Sequence, residues 1–200
     1  MVLIAFVCGS LPFSVWVGKY LEKKDIRQFG DGNPGAMNVF RGGSKLAGLL
    51  ALILDISKAA VPVGLAFFTL GIRGVPMALI ATAPVLGHVF SPFLHFRGGK
   101  ALAPSLGVWI GISIWQLSLP ALAGVLIGAA LFTPMGWAVM LAMASILVVI
   151  LIWLPTPLFL VIWFAQTLIL AWTHREDLRQ GIHARPWLGK LLARVRGNNF

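Results

Sequence analysis

The stretch LAGLLALILDISKAAVPVGLAFFTL, residues 46–70, holds two ionisable side chains, Asp55 and Lys58, in a run otherwise free of charge. A helix needs roughly 20 apolar residues to cross the hydrocarbon core of a bilayer, and this run is long enough. Similar runs recur along the chain. Open strands leave backbone groups unsatisfied in lipid, so the runs read as helices, with spans near 2–21, 46–70, 75–96, 101–118, 120–133, 136–154 and 157–173. Between them lie two polar segments, 22–45 and 174–200, and several short turns.

Composition agrees. Of 200 residues 58% are hydrophobic and 11% charged, and the mean hydropathy is +0.90, more apolar surface than a water-soluble core can hide. The single cysteine, Cys8, has no partner within the chain, which excludes an intrachain disulfide scaffold. A net charge of +10 would suggest nucleic acid in a soluble protein, but here the basic residues are sorted by topology, so no nucleic-acid partner is expected. With seven spans and the N-terminus outside, the inner loops hold Lys23, Lys24, Arg27, Arg41, Lys45, Arg97 and Lys100. The inner tail adds Arg175, Arg179, Arg185, Lys190, Arg194 and Arg196, and the outer loops hold only Arg73. Six or eight spans would break that alternation. Residues 1–21 lack a basic stretch before the apolar run, so they read as a retained span instead of a signal peptide.

The expected architecture is therefore an all-α integral membrane bundle over 1–173, with inner loops 22–45 and 97–100 and a basic inner tail over 174–200. In the tail, Trp187, Leu188, Leu191, Leu192 and Val195 recur at helical spacing behind Pro186, which predicts an amphipathic helix along the inner headgroups.

Chemistry-bearing residues fall on the inner side. The first loop reads Asp25-Ile26-Arg27, then Gly30-Asp31-Gly32-Asn33-Pro34-Gly35, then Asn38 and Arg41. Glycines that turn N–H groups inward, flanked by arginines, have the composition of a phosphate cradle, and also of ordinary turns. The second loop, Arg97-Gly98-Gly99-Lys100, sits at the start of a span whose helix N-terminus adds positive potential. Asp55 and Lys58 share one helical face, either as a structural ion pair or as part of a polar cavity open to the inside. His88 reads as a hydrogen-bonded packing residue. His174, before Arg175-Glu176-Asp177, ends the last span at the depth of both loops. No Cys or His cluster has zinc-ligand spacing.

Taken together, Gly9-Ser10-Leu11-Pro12, Asp25-Ile26-Arg27, Gly30-x-Gly32-Asn33-x-Gly35-x-x-Asn38-x-x-Arg41, Asp55-x-x-Lys58, Gly87-His88 through Pro92, Phe96, Gly98-Gly99-Lys100 and His174-Arg175-Glu176 resemble the bacterial acyl-phosphate:glycerol-3-phosphate acyltransferase family, PlsY. The resemblance implies a seven-span, N-out membrane enzyme of phospholipid synthesis in the bacterial inner membrane, its active site facing the cytoplasm. Its substrates would be acyl phosphate and glycerol 3-phosphate, with no bound metal or coenzyme A. On the matching positions it implies Arg41, Lys100 and His174 as catalytic contacts. Gly30, Gly32, Asn33, Asn38, Lys58, Gly98, Gly99 and Asp177 would be binding positions. Four positions depart from the family pattern: Asp31 stands for Ser, Met37 for Thr, Ala101 for Gly and Asp177 for Asn. The added Asp31 carboxylate requires an offsetting cation, with Arg27 and Arg41 the sequence neighbours. Two other functions fit the sequence. One is a small transporter for a phosphorylated solute, with Asp55, Lys58 and His88 along its path. The other is a catalytically impaired relative that binds lipid precursors.

Overall fold

Pro12 cannot donate a backbone hydrogen bond, so the first apolar run folds as two helices, α1 (Val2–Ser10) and α2 (Phe13–Leu21), joined through an extended Leu11. The carbonyls freed at the break are met from neighbouring helices: Ser91 Oγ donates to the Ser10 carbonyl at 2.6 Å and Lys58 Nζ to that of Leu11 at 2.8 Å. The break thus becomes a polar junction inside the bundle.

The computed structural model describes residues 1–188. After a 3₁₀ turn at Ile26–Gln28 come a short α3 (Ala36–Gly42) and the long α4 (Lys45–Gly64), which loosens into a π-helical turn over Leu65–Thr69 beyond Pro62. Then follow α5 (Gly74–Val89), α6 (Leu102–Ser113), α7 (Ser118–Leu131), α8 (Met135–Trp153), α9 (Pro157–Thr173) and a short α10 (Arg175–Arg179). Among the described residues, four segments are long and apolar enough to cross a membrane: Val2–Leu21, Lys45–Thr69, Gly74–Leu94 and Met135–Trp153. Helices α6, α7 and α9 are apolar but shorter. The spans expected over 101–118 and 120–133 are cut back because the chain turns earlier, at Ile114 with φ +56° and at the extended Phe132.

The most extensive helix pairings are α4 with α6, α7 with α8 and α1 with α5. Small residues permit them: a Cβ at Gly9 would overlap the Pro84 carbonyl, and one at Gly87 the Phe6 carbonyl. The buried core combines Ala59, Val63, Met77, Trp109, Ile146 and Ile162 with polar groups such as Ser14, Asp55, Lys58 and His88. Large apolar side chains, among them Leu3, Val75, Leu126 and Ile152, face outward. Water would penalise that surface over its extent, and lipid would not.

The tail departs from a purely helical expectation. A two-residue strand β1 (Phe132–Thr133) pairs antiparallel with β2 (His183–Ala184). Beyond it, Arg185 Nε donates to the Ala129 carbonyl at 3.1 Å and Trp187 Nε1 to that of Ala130 at 2.9 Å, capping the C-terminus of α7. Pro186, Trp187 and Leu188 are helical; the rest of the predicted amphipathic helix lies outside the described residues.

Candidate functional site

Three segments far apart in sequence meet at Lys100. Its backbone N–H donates to Asn33 Oδ1 at 3.0 Å and its carbonyl accepts from Thr173 Oγ1 at 3.0 Å. Its ammonium lies 3.0 Å from Asp31 and 3.5 Å from Asp177. The loop before α3, the loop before α6 and the end of α9 are thereby fixed on one residue.

The first loop is built to present its polar groups there. The Asp25 side chain accepts the Arg27 N–H and binds the same guanidinium at 2.8 Å, starting the 3₁₀ turn that buries Ile26. Gly30 and Gly32 then take φ +59° and +74°, conformations that side chains resist. From α3, buried Asn38 donates to Asp31 Oδ1 at 3.1 Å and to the Asn33 carbonyl at 2.9 Å, while its Oδ1 accepts from Arg41 at 3.0 Å. Asn38 therefore shapes the loop and orients Arg41.

A cavity of about 620 Å³ opens on this cluster, lined by Arg27, Asp31, Asn33, His95, Arg97 and Lys100 among others. A smaller one of about 220 Å³ shares Asn33, Arg97, Gly98 and Lys100 but runs towards Phe90, Phe96, Trp172 and Arg175. Phe90 and Trp172 face each other at 5.6 Å, and the Arg175 guanidinium lies 5.1 Å from the Trp172 ring. Lys100 stands between a polar cavity and one with an aromatic wall.

Several residues differ from their expected roles. Lys58 is not a ligand of either cavity. Its three donor directions are taken by the Leu11 carbonyl, Asp55 Oδ1 at 2.7 Å and His88 Nδ1 at 2.8 Å, and it is buried. Of its two sequence readings, the geometry gives the structural ion pair, and Ser14 completes it by donating to Asp55. His88 is, as expected, a hydrogen-bonded packing residue.

Gly98 and Gly99 do not form a free N–H cradle. The Gly98 amide donates to the Val89 carbonyl at 3.0 Å and that of Gly99 to the His88 carbonyl at 3.2 Å. Their want of a side chain serves packing instead, since a Cβ would overlap the His88 carbonyl at Gly98 and the His88 ring at Gly99. The Gly32 amide likewise closes a turn on the Phe29 carbonyl at 3.1 Å.

Arg41 lies 4.0 Å from Asp31 and borders the cluster without lining the large cavity. The principal partner of Asp31 is Lys100, not its sequence neighbours, and Arg27 is committed to Asp25. Burial pushes the Asp31 carboxyl up, but the Lys100 ammonium and the amides of Asn33 and Asn38 outweigh it and hold the group below the usual carboxylate range. Asp177 accepts the Gly136 N–H at 3.1 Å, so it also caps α8. His174 is buried behind the cluster, its Nδ1 2.9 Å from the Leu170 carbonyl. Burial and, to a lesser degree, Lys100 push it below the ordinary histidine range, partly opposed by that carbonyl.

Arg27, one of the arginines flanking the first loop's glycines, lines the large cavity with His95 and Arg97; none of the three is among the binding positions the resemblance implies. Arg97 reads in sequence as a topology marker beside the glycine pair, and that adjacency to Lys100 was the available signal. Its guanidinium has no ion-pair partner among the described residues.

Comparison with known proteins gives one answer. A family model described as glycerol-3-phosphate acyltransferase matches residues 1–184. A glycerol-3-phosphate acyltransferase of Enterococcus faecalis is 35% identical over 188 residues, 90% of this chain and 86% of its own. One from Aromatoleum aromaticum is 39% identical over 176 residues, covering 78% and 88%. Among solved structures, the integral membrane glycerol 3-phosphate acyltransferase PlsY in its glycerol 3-phosphate form superposes with a TM-score of 0.81 at 29% identity, covering 95% of this chain and 96% of that one. The lysophosphatidic acid form gives 0.80 at 28% identity.

Proposed function

This chain belongs to the glycerol-3-phosphate acyltransferase family, and on that premise we propose how it works as a membrane acyltransferase of phospholipid synthesis. It moves a fatty acyl group from acyl phosphate to the 1-hydroxyl of glycerol 3-phosphate, giving lysophosphatidic acid and inorganic phosphate. The observation that carries the site assignment is the convergence of residues 31–33, Lys100 and residues 173–177 on one polar cavity beside an aromatic one.

Acyl phosphate is a mixed anhydride and already activated. The chain has to place a hydroxyl near the carbonyl and stabilise negative charge on the carbonyl oxygen and the departing phosphate. In the proposed arrangement glycerol 3-phosphate occupies the larger cavity, its phosphate met by Lys100 and Arg97 from the lining, with Arg41 adding charge from the border of the cluster. Asn33 orients polar groups. Gly30, Gly32, Gly98 and Gly99 hold the loops in shape, and His174 backs the site as a neutral group. The acyl phosphate headgroup enters from the Phe90 and Trp172 side while its chain stays in lipid. The hydroxyl oxygen bonds to the acyl carbon, the bond from that carbon to the phosphate oxygen breaks, and the leaving phosphate accepts the hydroxyl proton.

The proposed topology is seven spans, N-terminus outside and C-terminus cytoplasmic, in the bacterial inner membrane. Inner loops 22–45 and 97–100 and the basic tail 174–200 face the cytoplasm. The Lys and Arg asymmetry supports it, as does the meeting of these segments at one end of the bundle. The transport reading loses its path, because Asp55, Lys58 and His88 are bonded to one another and buried. The test is an assay of purified protein with acyl phosphate, acyl-CoA and acyl carrier protein as competing donors. The proposal expects acyl phosphate to be used, and preferential use of either other donor would contradict it.

A further inference from the structure

One ammonium, that of Lys100, meets two carboxylates, and the two are held differently. Asp177 is 16% exposed, and the oxygen that faces Lys100 at 3.5 Å also accepts the Gly136 N–H at the start of α8. The helix N-terminus favours an anion there and fixes it. Asp31 is 45% exposed and lines the large cavity; its Oδ1 accepts from the Asn33 N–H at 3.3 Å and from Asn38 at 3.1 Å, while Oδ2, the oxygen 3.0 Å from Lys100, has no other partner among the described residues.

Lys100 and Arg41 face Asp31 and Asp177, two charges against two, while Arg97 on the same cavity wall has no ion-pair partner among the described residues. A phosphate entering the cavity brings about two more negative charges and seeks the ammonium that Asp31 already occupies. Like charges at that range repel, so phosphate and Asp31 compete.

We propose that Asp177 is a fixed positioning residue for Lys100, and that Asp31 is a displaceable internal anion which holds the ammonium until a substrate phosphate replaces it. The identity of that phosphate rests on the acyltransferase reading; the exchange itself does not. Asp31 then sets phosphate affinity, and Asp177 sets the direction in which Lys100 points.

The experiment titrates inorganic phosphate into the purified full-length protein in detergent and, separately, measures kcat and KM for glycerol 3-phosphate. Asp31→Asn and Asp31→Ser should each tighten phosphate binding about fivefold, the order of one exposed ion pair, and lower KM in the same proportion. Asp177→Asn should instead lower kcat, with little change in phosphate affinity. In a Lys100→Gln background the effect of Asp31→Asn should shrink towards nothing, because competition needs the ammonium. Unchanged or weaker phosphate binding in both Asp31 variants, with unfolding midpoints like the wild type's, would overturn the proposal, as would absence of phosphate binding in every variant. If the wild type makes no lysophosphatidic acid with any donor, the acyltransferase reading fails while the phosphate titrations still decide the exchange.

Discussion

The Lys58 ammonium lies 2.8 Å from His88 Nδ1, deep inside the bundle. An ammonium only donates, so Nδ1 is the acceptor and the ring proton of a neutral His88 sits on Nε2, the nitrogen that abuts Gly99. The chain Ser14, Asp55, Lys58, His88 therefore runs from the broken first span to the loop that carries Lys100.

Breaking that chain should cost stability. Lys58→Met or Asp55→Leu alone strands a buried charge and should destabilise by about 3–5 kcal/mol, whereas the double variant should recover part of the loss. Unfolding in detergent measures this, and strictly additive losses would argue against a coupled pair.

Removing a cation from the proposed phosphate site should act on the reaction and not on the fold. Lys100→Ala and Arg41→Ala should each lower kcat/KM by on the order of 100-fold while the protein stays inserted and monodisperse. Wild-type kinetics in either would take that residue out of the site.

The orientation can be read by labelling. In a Cys8→Ser background, a cysteine placed beside Arg73 should react with an impermeant reagent added to sealed cells, and one beside Gly99 should not. The opposite pattern would move the site to the other side of the membrane.

His174 should be neutral at pH 7. Its folded value lies below the ordinary histidine range, so as pH falls below the unfolded value of about 6.5 the unfolded chain takes up the proton first. Its contribution to stability is then present above about pH 6.5 and declines on acidification until the folded value is passed. Ring resonances assigned by difference from His174→Gln should titrate below the ordinary range; titration at or above it would contradict the buried geometry.

Much of this was legible in residues alone. The apolar runs marked every long helix, but the first was read as one span over 2–21, and its break at Leu11 and Pro12 emerged only in the fold. Asn33, Asn38, Lys100 and Asp177 do meet, because the polar segments before α4, before α6 and after α9 converge on Lys100. What sequence could not give was competition among partners. Lys58 reads equally as ligand or ion pair until Leu11, Asp55 and His88 are seen to take all its donors. Gly98 and Gly99 read as a cradle until their amides are found on the carbonyls at the end of α5. Asp31 looks paired with Arg27 or Arg41 because they are near in sequence, whereas the tertiary fold brings Lys100 closer.

The most direct test of the central claim is product stoichiometry. Purified wild-type protein given acyl phosphate and labelled glycerol 3-phosphate, with no added coenzyme A or acyl carrier protein, should release lysophosphatidic acid and inorganic phosphate one for one. Failure of the wild type, Asp31→Ser and Asp177→Asn alike to form labelled product, while all three remain folded and inserted, would contradict it.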